Sequence, residues 1–423
     1  MQAVGSLMNN RWRVAALALA ATQLGACAAR AGAEPAALQQ GAAPSVITLR
    51  ADELAEAKAR IARKDPALAP AYAKLMRDAG KALDAPVVAV TDKHTLMPPS
   101  GNKHDYYSLS PYWWPDPSKP DGLPYIRRDG VTNPESKQDL DQPRVAEMGA
   151  NVQALALAWY FTGEERYAAR AARQLRAWFL DSATAMTPQL RYSQLVRGNP
   201  KERGSGIIDT RWFIEAADGA RLLQGSRSWT SADDAALRSW FAQYVTWLKT
   251  SPNGEHEHDA KNNHGSWYAA QVAALALFTG DSATARTLAE EGKARIGWQV
   301  MPNGDQPLEL ERTRSLHYSS FNVEALSRLA EVGRKVGVDL WHYQAPQGGS
   351  LRIAIDHLAK FAADPKSWTG KQIDEAPTEL FVIHLRRGDV VFPGAPYLPL
   401  LHSLPPDDVQ KDRSALLYPD PVR

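Results

Sequence analysis

The residues of this chain whose types and spacing could do chemistry fall in two short stretches about fifty positions apart. One is Asn262-Asn263-His264-Gly265, which sets amides beside an imidazole; the other runs from Arg312 through Arg314 and His317 to Tyr318. Amide, imidazole and guanidinium groups can together hold a carboxylate and take up the charge that develops when the carbon beside it loses a proton. A phenol near a guanidinium has its anion favoured, so it could remove that proton as phenolate and return one to a departing oxygen. The reaction that fits such a set is β-elimination from a uronic-acid polymer, in which the C5 proton leaves and the bond to O4 breaks. Tyr318 can be both base and acid only where proton and leaving oxygen share a face, as in β-D-mannuronate and β-D-glucuronate. Guluronate, the C5 epimer, calls for a separate base, for which His264 is available.

Other readings compete. Asn262 or Asn263 could simply cap a helix by accepting backbone N–H bonds, with His264 incidental, or Asn262 could cap while its neighbours face a cleft. Asp305, Glu309 and Glu311 could supply the carboxylate pair of a glycoside hydrolase, although Glu309 and Glu311 face opposite ways on a strand and lie far apart around a helix. His256, His258 and His264 do not follow a recognised zinc spacing, and no metal or cofactor is expected. Arg314 and His317 could touch substrate or support the tyrosine. A glycan-binding lipoprotein without catalysis is the reading from another class.

The elements that must position these groups read as helices. The small apolar run Gly265 to Phe278 follows directly on His264, so the polar cluster sits at a helix start. Helical spacing also marks two helices within Leu49 to Ala85, then Val145–Phe161, Glu164–Leu180, Ile208–Leu223, Ser231–Lys249 and Ala283–Ile296. FTGEERYAARAARQL is echoed by FTGDSATARTLAEEG, a repeat at the level of helical hairpins. Short loops between long helices make antiparallel neighbours. The expected fold is therefore all-α, an (α/α) toroid of hairpins, with an open solenoid as the alternative. Only Phe381-Val382-Ile383 and Val390-Val391-Phe392 hint at strands. The loops Arg197–Gly206, Asn253–His264 and Pro302–Tyr318 would wall one end, the first carrying Arg203.

Between the second and third helices lies Val87 to Asn133, rich in proline and aromatics and without helical period. A stretch of that length inside a compact domain is usually functional, so it reads as an aromatic lid. His104, Tyr106, Tyr107, Tyr112, Trp113, Trp114, Tyr125, Arg127 and Arg128 are its candidate binding groups, and Trp267 is another just after the NNHG cluster. Thirteen Trp and fourteen Tyr in the chain suit sugar stacking, because a flat ring packs on CH faces while its N–H or O–H reaches a hydroxyl.

Lys plus Arg number 49 against 47 acidic residues, a net +2 over 423 residues, which gives no electrostatic case for nucleic-acid binding. Arg11 and Arg13 precede the apolar run Val14–Leu24, the form of a signal peptide. That run ends Leu24-Gly25-Ala26-Cys27, similar to a bacterial lipobox, and Cys27 is the single cysteine. Residues 1–27 thus read as a leader with Cys27 as the lipidation site, 28–45 as a flexible tether and 46–423 as one domain. The expected product is an exported protein, periplasmic or an outer-membrane lipoprotein of a Gram-negative bacterium, touching membrane only through the lipid.

NNHG followed by SWY and an Ala-rich helix, the Arg312–Tyr318 spacing, SPYWWPDP and GLPYIRRDG together resemble the alginate lyase domain superfamily. The likeness spans roughly Val87 to Ala363. It is closer to polysaccharide lyase family 38, which includes glucuronan and mannuronan lyases, than to the family 5 alginate lyases. The resemblance implies an (α/α) toroid and metal-free β-elimination on an acidic polysaccharide. By position it implies that Asn263 and His264 are the carboxylate-neutralising amide and catalytic histidine, Arg312 the family's arginine and Tyr318 its acid and base.

Overall fold

The structure, a computed structural model, describes residues 44–421. The leader, Cys27 and all but the last two residues of the tether lie outside the described residues. The helices in chain order are α1 (Ala51–Ala62), α2 (Ala69–Asp84), α3 (Asp141–Thr162), α4 (Glu165–Phe179), α5 (Phe213–Leu222), α6 (Ser231–Thr250), α7 (Pro252–Asp259), α8 (Asn263–Thr279) and α9 (Ser282–Gln299). They continue as α10 (Pro307–Leu310), α11 (Ser315–Lys335), α12 (Leu351–Ala359), α13 (Glu379–Val391), α14 (Tyr397–Ser403) and α15 (Pro406–Gln410). Short turns join α3 to α4 and α8 to α9, and the hairpins pack side by side as an (α/α) toroid.

The repeat seen in the sequence is real in three dimensions. Both copies of Phe-Thr-Gly end a helix with glycine in the left-handed region, Gly163 at φ 70° and Gly280 at φ 95°. Helix α8 is buried almost all round, from Gly265 to Phe278, and packs against α5, α6, α9 and α11. A helix apolar on every face belongs in the middle of a fold, and burying side chains such as Val272, Leu275 and Phe278 is worth roughly 1.5–3 kcal/mol each. Its first turn is consequently mounted on a helix that packing holds on every side.

Four short strands occur among the described residues. β1 (Tyr107–Leu109) pairs in parallel with β4 (Tyr192–Leu195), and β2 (Trp113–Trp114) pairs antiparallel with β3 (Ile126–Arg127). The lid segment is therefore folded on itself and stitched to the 190s. The strand hints near the end are overturned: Phe381 to Val391 is helical in α13, because Phe381, Val382 and Leu385 fall on one face and bury together. Ile208 to Trp212 belong to a 3₁₀ run, Gly204–Trp212, with non-helical backbone at Thr210, so α5 begins at Phe213 rather than Ile208. The loop expected over Asn253–His264 contains α7, whose start Ser251 caps by accepting from the Gly254 N–H at 3.0 Å.

Candidate active site

Asn262 closes the start of α8: its Oδ1 accepts from the His264 backbone N–H at 3.1 Å. With that role taken, Asn263 is free to turn inward. It is fully buried, its backbone N–H and its Nδ2 each donate to the Glu309 carboxylate at 2.6 Å, and its Oδ1 is buried without a partner among the described residues. Glu309 comes from α10 and is itself buried; burial pushes its carboxyl up, and Asn263 opposes that. The hydrolase pair does not form, since Glu309 is spent on Asn263 while Glu311 lines the cleft. Gly265 is required by close approach: a Cβ there would run into the Ala260 carbonyl oxygen.

His264 Nδ1 lies 2.7 Å from Glu257 Oε1 of α7. Burial works to lower the imidazole's pKa, but the Glu257 carboxylate outweighs it and the net shift is upward. The pairing fixes a proton on Nδ1 and leaves Nε2 without a protein partner among the described residues. His256 and His258 do not join it. His258 bonds Glu291 at 2.9 Å and Asp259 at 3.0 Å, and no group of three potential metal ligands gathers among the described residues.

The second stretch meets the first across a buried polar lattice. Gln299, at the end of α9, donates to the Lys261 and Asn262 carbonyls at 3.0 and 3.2 Å and accepts from Ser266 and from Asn322 of α11. Asn322 also donates to Gln306 at 2.8 Å, which in turn donates to the Ser319 carbonyl at 3.1 Å. The starts of α8 and α11 are thereby locked to each other. Tyr318, in the first turn of α11, donates its hydroxyl to Tyr112 of the lid at 2.7 Å. The Arg312 guanidinium lies over the Tyr318 ring, 3.6 Å from its centroid, and pairs with Asp129 of the lid at 2.7 Å.

One expectation is corrected. Arg312 does favour the Tyr318 phenolate, yet the phenol's pKa is raised well above its ordinary value, because burial and Tyr112 outweigh the guanidinium. In the resting cleft Tyr318 is a neutral donor. His317 is likewise neutral, pushed down to about 4 by burial and by Arg314, Arg211 and Arg312 around it, with Asp374 opposing. Arg314 pairs with Asp374 at 2.7 Å.

These groups surround a cavity of about 690 Å³, the size of a small-ligand site. Asn263, His264, Arg312, Arg314, His317, Tyr318, Trp113 and Arg203 all line it. Tyr112 and Arg127 line it as well, and the structure puts the remaining sequence candidates elsewhere. Tyr106 is fully buried and donates to Asp209 at 3.1 Å. His104 Nδ1 bonds the Ala185 carbonyl at 2.7 Å, Trp114 Nε1 donates to the Val131 carbonyl at 2.9 Å, and Tyr125 donates to Glu135 at 2.8 Å. Tyr107 packs on the apolar cluster of Leu109, Leu140 and Leu195. Trp267 is buried against Phe321, ring centroids 4.9 Å apart. Sequence reasoning passed over Lys137, Gln194 and Arg211, which also line the cavity. Arg211 carried a signal, a basic residue directly before the apolar run Trp212-Phe213-Ile214, but Gln194 carried none.

The alginate lyase family profile matches residues 89–368. A crystal structure of an alginate lyase from Bacteroides ovatus is 38% identical, with a TM-score of 0.84 over 89% of this chain and 99% of that one. The chain belongs to the alginate lyase family. It is a polysaccharide lyase. Alginate lyase A1-III from Sphingomonas species A1 shares the fold at 16% identity and TM-score 0.53, over 82% of this chain and 95% of that one. A tetrasaccharide complex of A1-III gives 15% and 0.55 over the same shares. No curated protein matches the sequence.

Proposed function

We propose that this lyase cleaves a 1,4-linked uronate polymer, alginate or its mannuronate blocks first and glucuronan second, by β-elimination, and that its nearest kin are the family 38 enzymes. The observation that carries the reading is the meeting of Asn263, His264, Arg312 and Tyr318 in one cleft from two interlocked helix starts. The likeness to an alginate lyase at 38% identity supports the substrate class.

In the proposed reaction the substrate's C5 carboxylate sits among His264, Asn263 and Arg312. The starts of α8 and α11 add their positive dipole ends to that side of the cleft. As the C5 proton leaves, charge spreads into the carboxylate, where these fixed donors hold it at no cost of reorganisation. Tyr318 gives a proton to O4 as the bond breaks. Its own base role requires the phenolate, which Arg312 stabilises and Tyr112 opposes. A second reading keeps Tyr318 as acid only and makes His264 Nε2 the base; the neutral Tyr318 and the free Nε2 favour it. Export and lipidation at Cys27 stay part of the proposal.

The test is ultraviolet absorbance from the unsaturated uronate end, screened on polymannuronate, polyguluronate and glucuronan. Tyr318→Phe should lower kcat by about 10²–10⁴-fold, the worth of a general acid or base, with little change in oligosaccharide affinity. A variant retaining most of its kcat removes Tyr318 from the mechanism. New reducing ends without the chromophore would point instead to hydrolysis.

A further inference from the structure

The cationic groups of the cleft divide by whether they have a counter-charge. Arg312 pairs with Asp129, Arg314 with Asp374, and His264 with Glu257. Arg211 has no carboxylate within ion-pair distance among the described residues; its one hydrogen bond there runs from Nη1 to the Ile208 carbonyl at 3.2 Å. The acids near it are already committed. Both oxygens of Asp209 are taken, Oδ2 by Tyr106 and Ser108 and Oδ1 by Gln194, and Glu215 pairs with Arg328 at 2.7 Å. Lys137 and Arg203, which line the same cavity, also lack an acidic partner among the described residues: Lys137 donates to Gln142 at 2.5 Å and Arg203 to Ser110 at 2.8 Å.

A half-buried guanidinium without a counter-ion loses hydration that nothing in the protein replaces, so the arrangement is stable only if an anion or water completes it. Its position says which anion. The Arg211 guanidinium lies over Phe321, 5.4 Å from the ring centroid, and the Tyr318 ring is 6.5 Å from that same centroid. Arg211 thus stands beside Phe321, whereas Arg312 lies on the Tyr318 ring itself, so Arg312 is the guanidinium of the reacting sugar and Arg211 is left for another. Trp113 also lines the wall, an aromatic ring suited to a sugar face.

We propose that Arg211, with Lys137, forms a second carboxylate subsite that takes the acid group of the uronate adjoining the one that loses its C5 proton. The proposal rests on the uronate-lyase reading and deepens it. It makes the enzyme a reader of consecutive charged sugars, because a neutral neighbour would leave Arg211 buried without its partner.

The experiment separates this from the reaction itself by measuring binding where no turnover occurs. Tetramannuronate is titrated calorimetrically into Tyr318→Phe and into the same protein carrying Arg211→Gln or Arg211→Lys. The Gln variant should bind on the order of tenfold to a hundredfold more weakly, as expected for a lost charge-assisted hydrogen bond, and the Lys variant should recover much of that. With Tyr318 intact, Arg211→Gln should raise KM far more than it lowers kcat. Lys137→Met, a surface change that spares the core, should weaken binding severalfold and serves if Arg211→Gln fails to fold. Affinity within twofold of the parent for the folded Arg211 variant, or for Lys137→Met in its place, overturns the subsite. So does a fall in kcat with affinity unchanged, which would put Arg211 at the reacting sugar. If the parent binds tetramannuronate but wild type releases no unsaturated product from any uronate polymer, the lyase reading fails while the subsite stands. No binding by the parent sinks both.

Discussion

The helix-start wall of the cleft and the lid facing it, residues 87–133, use their polar groups differently. On the helix-start wall Glu309 holds Asn263 and Glu257 holds His264, while Gln299 and Asn322 tie the turns that carry them to α11, which carries Tyr318. In the lid, His104, Tyr106, Trp114 and Tyr125 spend their hydrogen bonds fixing the lid in place, Trp114 within it and the other three onto Ala185, Asp209 and Glu135 outside it. Only Tyr112, Trp113 and Arg127 of its aromatic and cationic groups reach the cavity. The reason lies in the backbone. A helix start has a fixed direction, and here its first N–H groups are met by Asn262 and Glu309 in α8 and by Lys371 and Gln372 in α11, so the side chains of His264 and Tyr318 can be given over to function. An irregular segment must satisfy its backbone and anchor itself with whatever side chains it has.

The largest effect within this comparison should come from removing a support on the helix-start wall. Glu309→Ala strands two buried donors of Asn263, which costs about 2–4 kcal/mol of stability and turns the amide out of place, with kcat falling about tenfold or more. Denaturant unfolding and product absorbance measure the two separately. If stability drops and kcat does not, Asn263 has no need of Glu309 for its orientation.

The one hydrogen bond that joins the two walls at the reacting phenol is Tyr318 to Tyr112, and Tyr112→Phe tests what it does. Because Tyr318 donates in that bond, the bond favours the neutral phenol; deleting it lowers the phenol's pKa, while Arg312 and Asp129 stay in place. If Tyr318 works as phenolate base, activity should rise at lower pH in the variant than in wild type, by about one unit. If Tyr318 is only the acid and His264 the base, activity should instead be lost at lower pH on the alkaline side. A pH–rate profile of kcat/KM distinguishes the two, and an unmoved profile denies Tyr112 any hold on the reacting proton.

What was legible in the sequence follows the same division. NNHG could be placed because it adjoins a helix whose period is plain, and Asn262 proved to be the cap that frees Asn263; the Arg312–Tyr318 stretch reads as a loop and stands out by residue type alone, although Ser315 to Tyr318 open α11. The hairpin repeat was legible because Gly163 and Gly280 stop their helices in the same way. Glu257 and Glu309 were not legible as supports, since their roles depend on a contact between elements and not on spacing within one. In the lid, aromatic content marked the segment as functional but could not say which rings face inward, because strand pairing of Trp113 with Arg127 and the folding of the segment on itself decide that. Trp267, adjacent to the site in sequence, points into the core because successive residues on a helix face different ways.

The smallest expected effect therefore belongs to a lid residue that composition alone would rank as a binding group. His104 holds the Ala185 carbonyl and does not line the cavity, so His104→Ala removes one anchoring hydrogen bond, worth about 0.5–1.5 kcal/mol. The melting temperature should drop by a few degrees at most, while kcat and KM on polymannuronate stay within about threefold of wild type. A loss of affinity comparable to that of Arg211→Gln would mean that the anchored part of the lid is itself a sugar-binding surface. The division between a wall whose side chains are held for function and a lid whose side chains anchor it would then be wrong at the residue where it makes its plainest claim.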